Sequence, residues 1–253
     1  MRIVQKDDTT LLRGPRGETL LIHVSGEQEK TKDAVVDTAR LLGVAYGSEL
    51  QIGGIAFVVL EPSTSDLMAA TPRKTQTILP KDAGRIVIAA SIRAGDTVVE
   101  AGAGSGALTI ALSRAVGLSG KIIGLDVKEE HLEAARKSVR RSGAKNVELR
   151  LADVGKGVPE RGVDAFVLDL PEPWAVLEAA KDSLKRGGHL VCFVPSFNQV
   201  ETTVRALREA GSGFTDSRAF EVLEREIEVG ERSARPATEM LGHTGFIISA
   251  RRF

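Results

Sequence analysis

The segment Val98-Val99-Glu100-Ala101-Gly102-Ala103-Gly104-Ser105-Gly106-Ala107-Leu108 constrains this chain more than any other. Two β-branched residues lead into an acid, three glycines alternate with small residues, and an amphipathic run follows. That order reads as a strand, a tight turn and a helix start. Glycine tolerates positive φ and lets a ligand approach the main chain closely. The helix start behind it presents N–H groups and a partial positive charge. A nucleotide-like cofactor is therefore expected to dock over residues 102–108.

The remaining composition narrows the class. A chain of 253 residues holds one large domain, or one medium and one small. Hydrophobic content of 42% beside 27% charged residues is that of a soluble globular protein. No apolar run approaches the ~20 residues of a membrane span. Residues 1–8 lack the apolar core of a signal peptide, so a cytoplasmic protein without a membrane partner is expected. The single cysteine, Cys192, lies among Leu190, Val191, Phe193 and Val194 and reads as a buried strand thiol. Basic and acidic side chains number 34 each, so a nucleic-acid partner requires a local basic patch. Aromatic content of 4% argues against a protein that reads RNA by stacking many bases. The four histidines and the cysteine show no ligand spacing, and no metal site is expected.

Residues 1–65 carry short apolar pieces at 19–24 and 55–60, broken by Gly14, Gly17, Gly26, Gly47, Gly53 and Gly54. They predict a small β domain of short strands and turns, with a short helix over 33–42. Residues 61–66 have linker composition. From 66 to 253 strand and helix patterns alternate. Strands are expected at 97–101, 121–125, 147–151, 164–169, 189–194 and 244–250. One helix follows the glycine turn, with Leu108, Ala111, Leu112 and Ala115 on one face and Gly117 as its stop. A second turns Leu132, Ala135 and Val139 inward and Arg136, Lys137, Arg140 and Arg141 outward. A third is expected to start at Asn198, with Glu201 completing a capping box. Such alternation predicts a mostly parallel sheet covered on both faces, with ligands beyond the carboxyl ends of its strands.

The turn alone does not choose a cofactor, since Gly102, Gly104 and Ala107 also satisfy a dinucleotide fingerprint, with Asp126 placed to hold a ribose. Two more acids tilt the choice. Asp153 follows the third strand and Asp169 the fourth. Parallel strands would bring all three aspartates to one sheet edge, where a pyrophosphate would be repelled. S-adenosyl-L-methionine (SAM) carries a sulfonium, an ammonium and a donating adenine amino group, which suit acceptor-only carboxylates.

At Asp169-Leu170-Pro171-Glu172-Pro173-Trp174 the reading reaches a specific motif. With residues 73–82 (RKTQTILPKD) upstream, and Arg235-Pro236 and Gly242-His243-Thr244-Gly245-Phe246 downstream, the chain resembles the TrmI family of SAM-dependent tRNA adenine-N1 methyltransferases. The resemblance spans nearly the whole chain. It implies a class I SAM-dependent methyltransferase (Rossmann-like) domain behind a small N-terminal β-barrel-like domain, assembled as a homotetramer. It implies a tRNA substrate, methylated in the T-loop at adenine 58, and leaves open whether adenine 57 is modified too. The family's SAM site falls on Gln76, Gly102, Gly104, Ser105, Gly106, Ala107, Leu108, Asp126, His131, Asp153 and Asp169, with Asp169 also the catalytic aspartate. Two departures stand out. Asp126 replaces the family's usual glutamate, and Leu79 stands where many relatives carry an aromatic or histidine bordering the target base.

The chemistry implied is transfer of a methyl group from a sulfonium to adenine N1. That nitrogen already carries a lone pair, so no strong base is needed, and Asp169 is expected to stabilise the cationic product. Arg73, Lys74, Lys81, Arg85, Arg251 and Arg252 are candidates to hold RNA phosphates. The alternatives are another class I enzyme, such as a protein isoaspartyl carboxyl methyltransferase, and a non-catalytic RNA-binding subunit.

Overall fold

The computed structural model describes residues 1–31, 34–72 and 77–253. Short alternating segments near the N-terminus pair as antiparallel strands. β1 (Thr9–Arg13) and β2 (Thr19–His23) form a hairpin, and β5 (Glu49–Ile52) and β6 (Ile55–Leu60) form another. They join in the order β2-β1-β6-β5. A separate ribbon of β3 (Gln28–Lys30) and β4 (Val35–Asp37) leans on the same core. Leu12, Ile22, Val36, Leu41 and Val59 are all fully buried there. Among the described residues this module is an open sheet plus a ribbon rather than a closed barrel. The helix expected over 33–42 is instead strand β4 and a single 3₁₀ turn, Thr38–Leu41, capped by the Asp37 carboxylate on Ala39 N at 3.1 Å. The 35–36 pair is β-branched, and its alternation (Val35 exposed, Val36 buried) fits a ribbon better than a helix.

Beyond the module, Ser63 and Asp66 form a capping box that opens α1 (Thr64–Ala69), which sequence patterning missed. α2 (Pro80–Ala89) starts with proline at its first position. The remaining elements are β7 (Thr97–Ala101), α3 (Ala107–Val116), β8 (Lys121–Asp126), α4 (Glu129–Ser142), β9 (Val147–Leu151), β10 (Val163–Leu168), α5 (Leu177–Ser183), β11 (Leu184–Val194) and α6 (Phe197–Arg208). β12 (Phe214–Glu221), a hairpin of β13 (Ile227–Val229) and β14 (Ala234–Pro236), and β15 (Phe246–Arg252) complete the chain. The main sheet runs β12-β15-β11-β10-β7-β8-β9. The five strands from β11 to β9 are parallel, and β15 is antiparallel to both of its neighbours.

Alternate residues of the strands feed two cores. Val99, Phe166, Leu168 and Leu190 face α5 and α6, while Val98, Val167, Val191 and Ile247 face α2 and α3. Cys192 is fully buried in the first of these, and burial pushes its thiol up to about 12. α3 is buried nearly all round because its outer face carries the N-terminal module: Leu11 and Leu21 of the small sheet pack on Leu67 of α1 and Ile110 of α3. Arg141, expected outward on α4, turns instead to this junction. It donates to Leu21 O, and its own carbonyl accepts from Thr9 Oγ1. The long side chain lets the guanidinium reach a carbonyl of the small sheet and tie α4 to the module. The cap of α6 lies two residues before the Asn198 that its sequence pattern implied. Ser196 is the cap, and its hydroxyl accepts from Gln199 N at 3.4 Å and donates to the Gln199 side chain at 2.5 Å.

Candidate active site

β7 has β8, the next strand in the chain, on one side and β10, which follows only after β9, on the other. The winding of the chain reverses between β7 and β10, and a crevice opens there at the carboxyl ends of the strands. A cavity of about 290 Å³ occupies it. Gly102, Gly104, Ser105, Ala107, Leu108, Asp126, His131 and Asp169 all line it, so most of the expected site residues share one enclosure.

The glycines make that enclosure possible. Gly102 has φ +92, and a Cβ there would lie 2.1 Å from the Asp169 carbonyl oxygen. The contact is that tight because Asp169 N donates to Ala101 O at 2.8 Å, which zips the end of β10 to the end of β7. Gly106 caps α3 in the left-handed region at φ 84, and a Cβ there would meet Ala135 Cα of α4 at 3.1 Å. It does not line the cavity; it lets the first turn of α3 approach α4. The Gly104 N–H is already engaged, donating to Asp126 Oδ2 at 3.0 Å. Asp126 further accepts from Lys128 N at 3.0 Å and lies 3.2 Å from His131 Nδ1. The aspartate thus holds the turn in shape and orients the histidine at the cavity wall.

Asp169 stands opposite. Burial, aided by the Asp126 charge, pushes its carboxyl up to about 7. A third acid, which the sequence reading did not assign to the site, lies deeper. Glu100 is 1% exposed and lines the cavity floor. Its Oε2 accepts from Thr109 Oγ1 at 2.6 Å, while Oε1 has no hydrogen-bond partner. Burial foremost, then the charges of Asp169 and Asp126, drives its carboxyl up to about 8 against the Thr109 bond. The clue was present in the sequence: an acid near the end of a mostly apolar strand, two residues before the first glycine of the turn.

Asp153 does not join them. It stands near Asp126 at the sheet end, since Ala152 N donates to Asp126 O at 3.0 Å, yet it does not line the cavity. Its side chain is half exposed and caps a 3₁₀ turn through Gly155 N at 2.9 Å. A short side chain followed by a glycine two residues on satisfies the local backbone first. Gln76, Arg73 and Lys74 lie outside the described residues.

The motif residues around the cavity have structural work to do. Pro171 O accepts from Gln199 Nε2 at 2.8 Å, tying the loop after Asp169 to α6. Lys81, a candidate for RNA phosphate, is only 7% exposed and is taken up internally. It donates to Asp82 Oδ1 at 2.8 Å, Val222 O at 2.7 Å and Thr244 Oγ1 at 2.6 Å, clamping α2 to the segment that follows β12. Arg252 is likewise engaged, with Leu184 O. Arg85 lies over the Phe220 ring at 4.0 Å. Leu79 is the N-cap residue of α2 and does not line the cavity.

A sheet of this order with a carboxylate-lined crevice at its reversal point defines a class I SAM-dependent methyltransferase. Among solved structures, a SAM-dependent O-methyltransferase from Thermotoga maritima superposes with a TM-score of 0.85 at 28% identity, covering 98% of this chain and 94% of that one. The tRNA (m1A58) methyltransferase TrmI of Aquifex aeolicus superposes with a TM-score of 0.79 at 25% identity, covering 100% and 99%. The family model for the GCD14 subunit of the tRNA methyltransferase complex matches residues 56–235. A protein of Methanocaldococcus jannaschii, the tRNA (adenine(57)-N(1)/adenine(58)-N(1))-methyltransferase TrmI, is 40% identical across 95% of this chain and 94% of its own. The chain belongs to the TrmI family of tRNA (adenine-N1)-methyltransferases.

Proposed function

We propose that this chain transfers a methyl group from SAM to N1 of adenine 58 in the tRNA T-loop, with adenine 57 as the second position to test. The observation that carries this reading is the placement of Asp169. Its backbone is zipped to β7 beside the glycine turn, and its carboxyl faces a cavity lined by two further acids.

The residues present fit the cofactor. Three carboxylates share one small cavity that no lysine or arginine among the described residues lines, and the Glu100 Oε1 is buried without a partner. Such an arrangement is costly until a cation neutralises it. SAM, when bound, supplies an electrophilic methyl group on a positively charged sulfur. Glu100 and Asp169 are the acceptors for its cationic end, Asp126 and His131 would hold its ribose, and residues 102–105 with Ala107 and Leu108 form the wall against it.

No side chain has to remove a proton from adenine N1 before it reacts, because the lone pair is already free. Asp169 contributes by accepting from the exocyclic amino group, whose positive charge grows as the new bond forms. The remaining acceleration comes from alignment, which the rigid coupling of β7, β10 and α6 supplies. The N1 edge is concealed in a paired base, so the adenine must enter unpaired or extruded, at a cost of a few kcal/mol.

Assembly is part of the same reading. The β13–β14 hairpin is exposed on all its residues, with Ile227 and Val229 uncovered, and supports a homotetramer built through this arm. Light scattering should give four chains per particle. Among the described residues no helix is long and apolar enough to cross a membrane, which accords with a cytoplasmic tRNA-modifying enzyme. The decisive experiment is mass-spectrometric mapping of nucleosides in tRNA incubated with SAM and either wild type or Asp169→Ala. We expect 1-methyladenosine in the T-loop with the first and none with the second; near-normal product from a folded Asp169→Ala would refute the role of Asp169.

A further inference from the structure

Phe197 is 74% exposed, although it opens a well-ordered helix in a chain with only eight phenylalanines, one tyrosine and one tryptophan. Five of the other seven phenylalanines, 57, 166, 193, 214 and 246, are buried. Phe197 also lies between Pro195 and Gln199, both of which line the cavity. From these observations we infer that Phe197 is a stacking post at the cavity mouth that holds a tRNA nucleobase other than the one being methylated. The inference rests on the functional reading above and adds a second base-binding position to it.

One face of the ring is held and the other is open. Its centroid stands 4.4 Å from that of Phe246, tilted by 42°. Phe246 is itself buried and lies 4.8 Å from the His243 ring. The result is a short aromatic ladder rooted in the end of β15. An aromatic pair of this geometry is favourable in itself and fixes the outer ring before any ligand arrives. The base of the post is equally rigid. Ser196 caps α6 through Gln199, and Gln199 donates to Pro171 O, two residues past Asp169. The position of the Phe197 ring is therefore coupled to that of the proposed catalytic carboxylate through one side chain.

The chemistry of the rim favours an RNA base over a bare apolar partner. His243 places Nδ1 2.8 Å from Glu221 Oε1 and Nε2 2.8 Å from Pro195 O. Both partners only accept, which favours the doubly protonated ring and raises its pKa above the ordinary histidine value. An exposed aromatic face is the surface on which single-stranded nucleic acid stacks a base. The substrate also needs such a post. Extracting an adenine from its stack exposes its neighbour, and an aromatic face that receives a base restores about 1–3 kcal/mol. Low aromatic content is compatible with one such post, because a single stacked base requires a single ring.

The test compares wild type, Phe197→Ala and Phe197→Trp in steady-state methylation of tRNA. SAM affinity is read by calorimetry and particle mass by light scattering. A second readout uses 2-aminopurine placed beside the target adenine, whose fluorescence is quenched on stacking. Phe197→Ala should raise the KM for tRNA about 5- to 150-fold, the equivalent of 1–3 kcal/mol. It should leave SAM affinity and particle mass unchanged and abolish the quenching, and Phe197→Trp should restore both KM and quenching. A KM for Phe197→Ala within twofold of wild type overturns the inference, and so does a change in particle mass, which would make Phe197 a contact between copies. Absence of tRNA methylation by wild type would remove the functional reading as well, so the two failures are distinguishable.

Discussion

Substituting Gly102 with alanine puts the coupling between the glycine turn and Asp169 to a direct test. The added Cβ would sit 2.1 Å from the Asp169 carbonyl oxygen, against a closest tolerable approach of 3.0 Å, so one of the two backbones must retreat by at least 0.9 Å. Neither can do so freely, because Asp169 N is bonded to Ala101 O at 2.8 Å and Gly102 N to Leu125 O at 2.8 Å. A misplacement of about 1 Å at a reacting centre costs about 100-fold in rate. That is about 2.7 kcal/mol of barrier. The positive φ adds a stability cost of about 1–2 kcal/mol. Gly143→Ala isolates that second cost. Gly143 ends α4 at φ +74 with nothing within 4 Å of a new Cβ, so it carries the backbone penalty without the clash. Initial rates of labelled methyl transfer to tRNA, paired with thermal melts, separate the terms. Both variants should melt a few degrees low, and only Gly102→Ala should lose about two decades of kcat. A Gly102→Ala enzyme within threefold of wild type, melting like Gly143→Ala, would refute the coupling of the turn to the aspartate.

Two further outcomes concern the buried acids. Burial puts the Asp169 carboxyl at about 7 in the ligand-free chain, and only the carboxylate stabilises a cationic adenine, so kcat/KM for SAM should rise with pH through about 7 and level off above it; a flat profile between pH 5.5 and 8 contradicts the assignment. Glu100 holds its proton in the folded chain up to about 8 but loses it near 4.5 once unfolded. The folded state therefore binds more protons across that window, and ligand-free stability falls as pH rises through it. Glu100→Gln removes this slope, so its melting temperature relative to wild type should climb from pH 5 to pH 8 while its SAM affinity drops; an unchanged difference between the two pH values would show that Glu100 is not protonated in the fold.

β7, β8 and β10, which border the crevice, were legible because each is a short, mostly apolar run closed by an acid or a glycine, and β9 because its apolar residues alternate with charged ones. β7 and β9 fall at their expected bounds, and β8 and β10 differ by one residue. α1, α5, β12 and the β13–β14 hairpin were not legible. β12 is mostly exposed at a sheet edge without strict alternation, and the hairpin has no buried face, so neither carries the pattern that marks a core element.

What the sequence determined by itself is local: the glycine turn with its positive φ values, the acids that end β7, β8 and β10, and the motif residues that define the family. These are properties of a few adjacent residues, and backbone sterics enforce them in any context. Which acids share an enclosure was decided only by the tertiary structure. Asp126, Asp169 and Glu100 converge because β7 is flanked by β8 and β10 and its zipped end lies against Asp169, whereas Asp153, one strand further out, answers to its own backbone. The fate of Lys81 and Arg141 was settled the same way. A charge written on a helix says nothing about its partner until another segment, more than a hundred residues away, supplies the carbonyls.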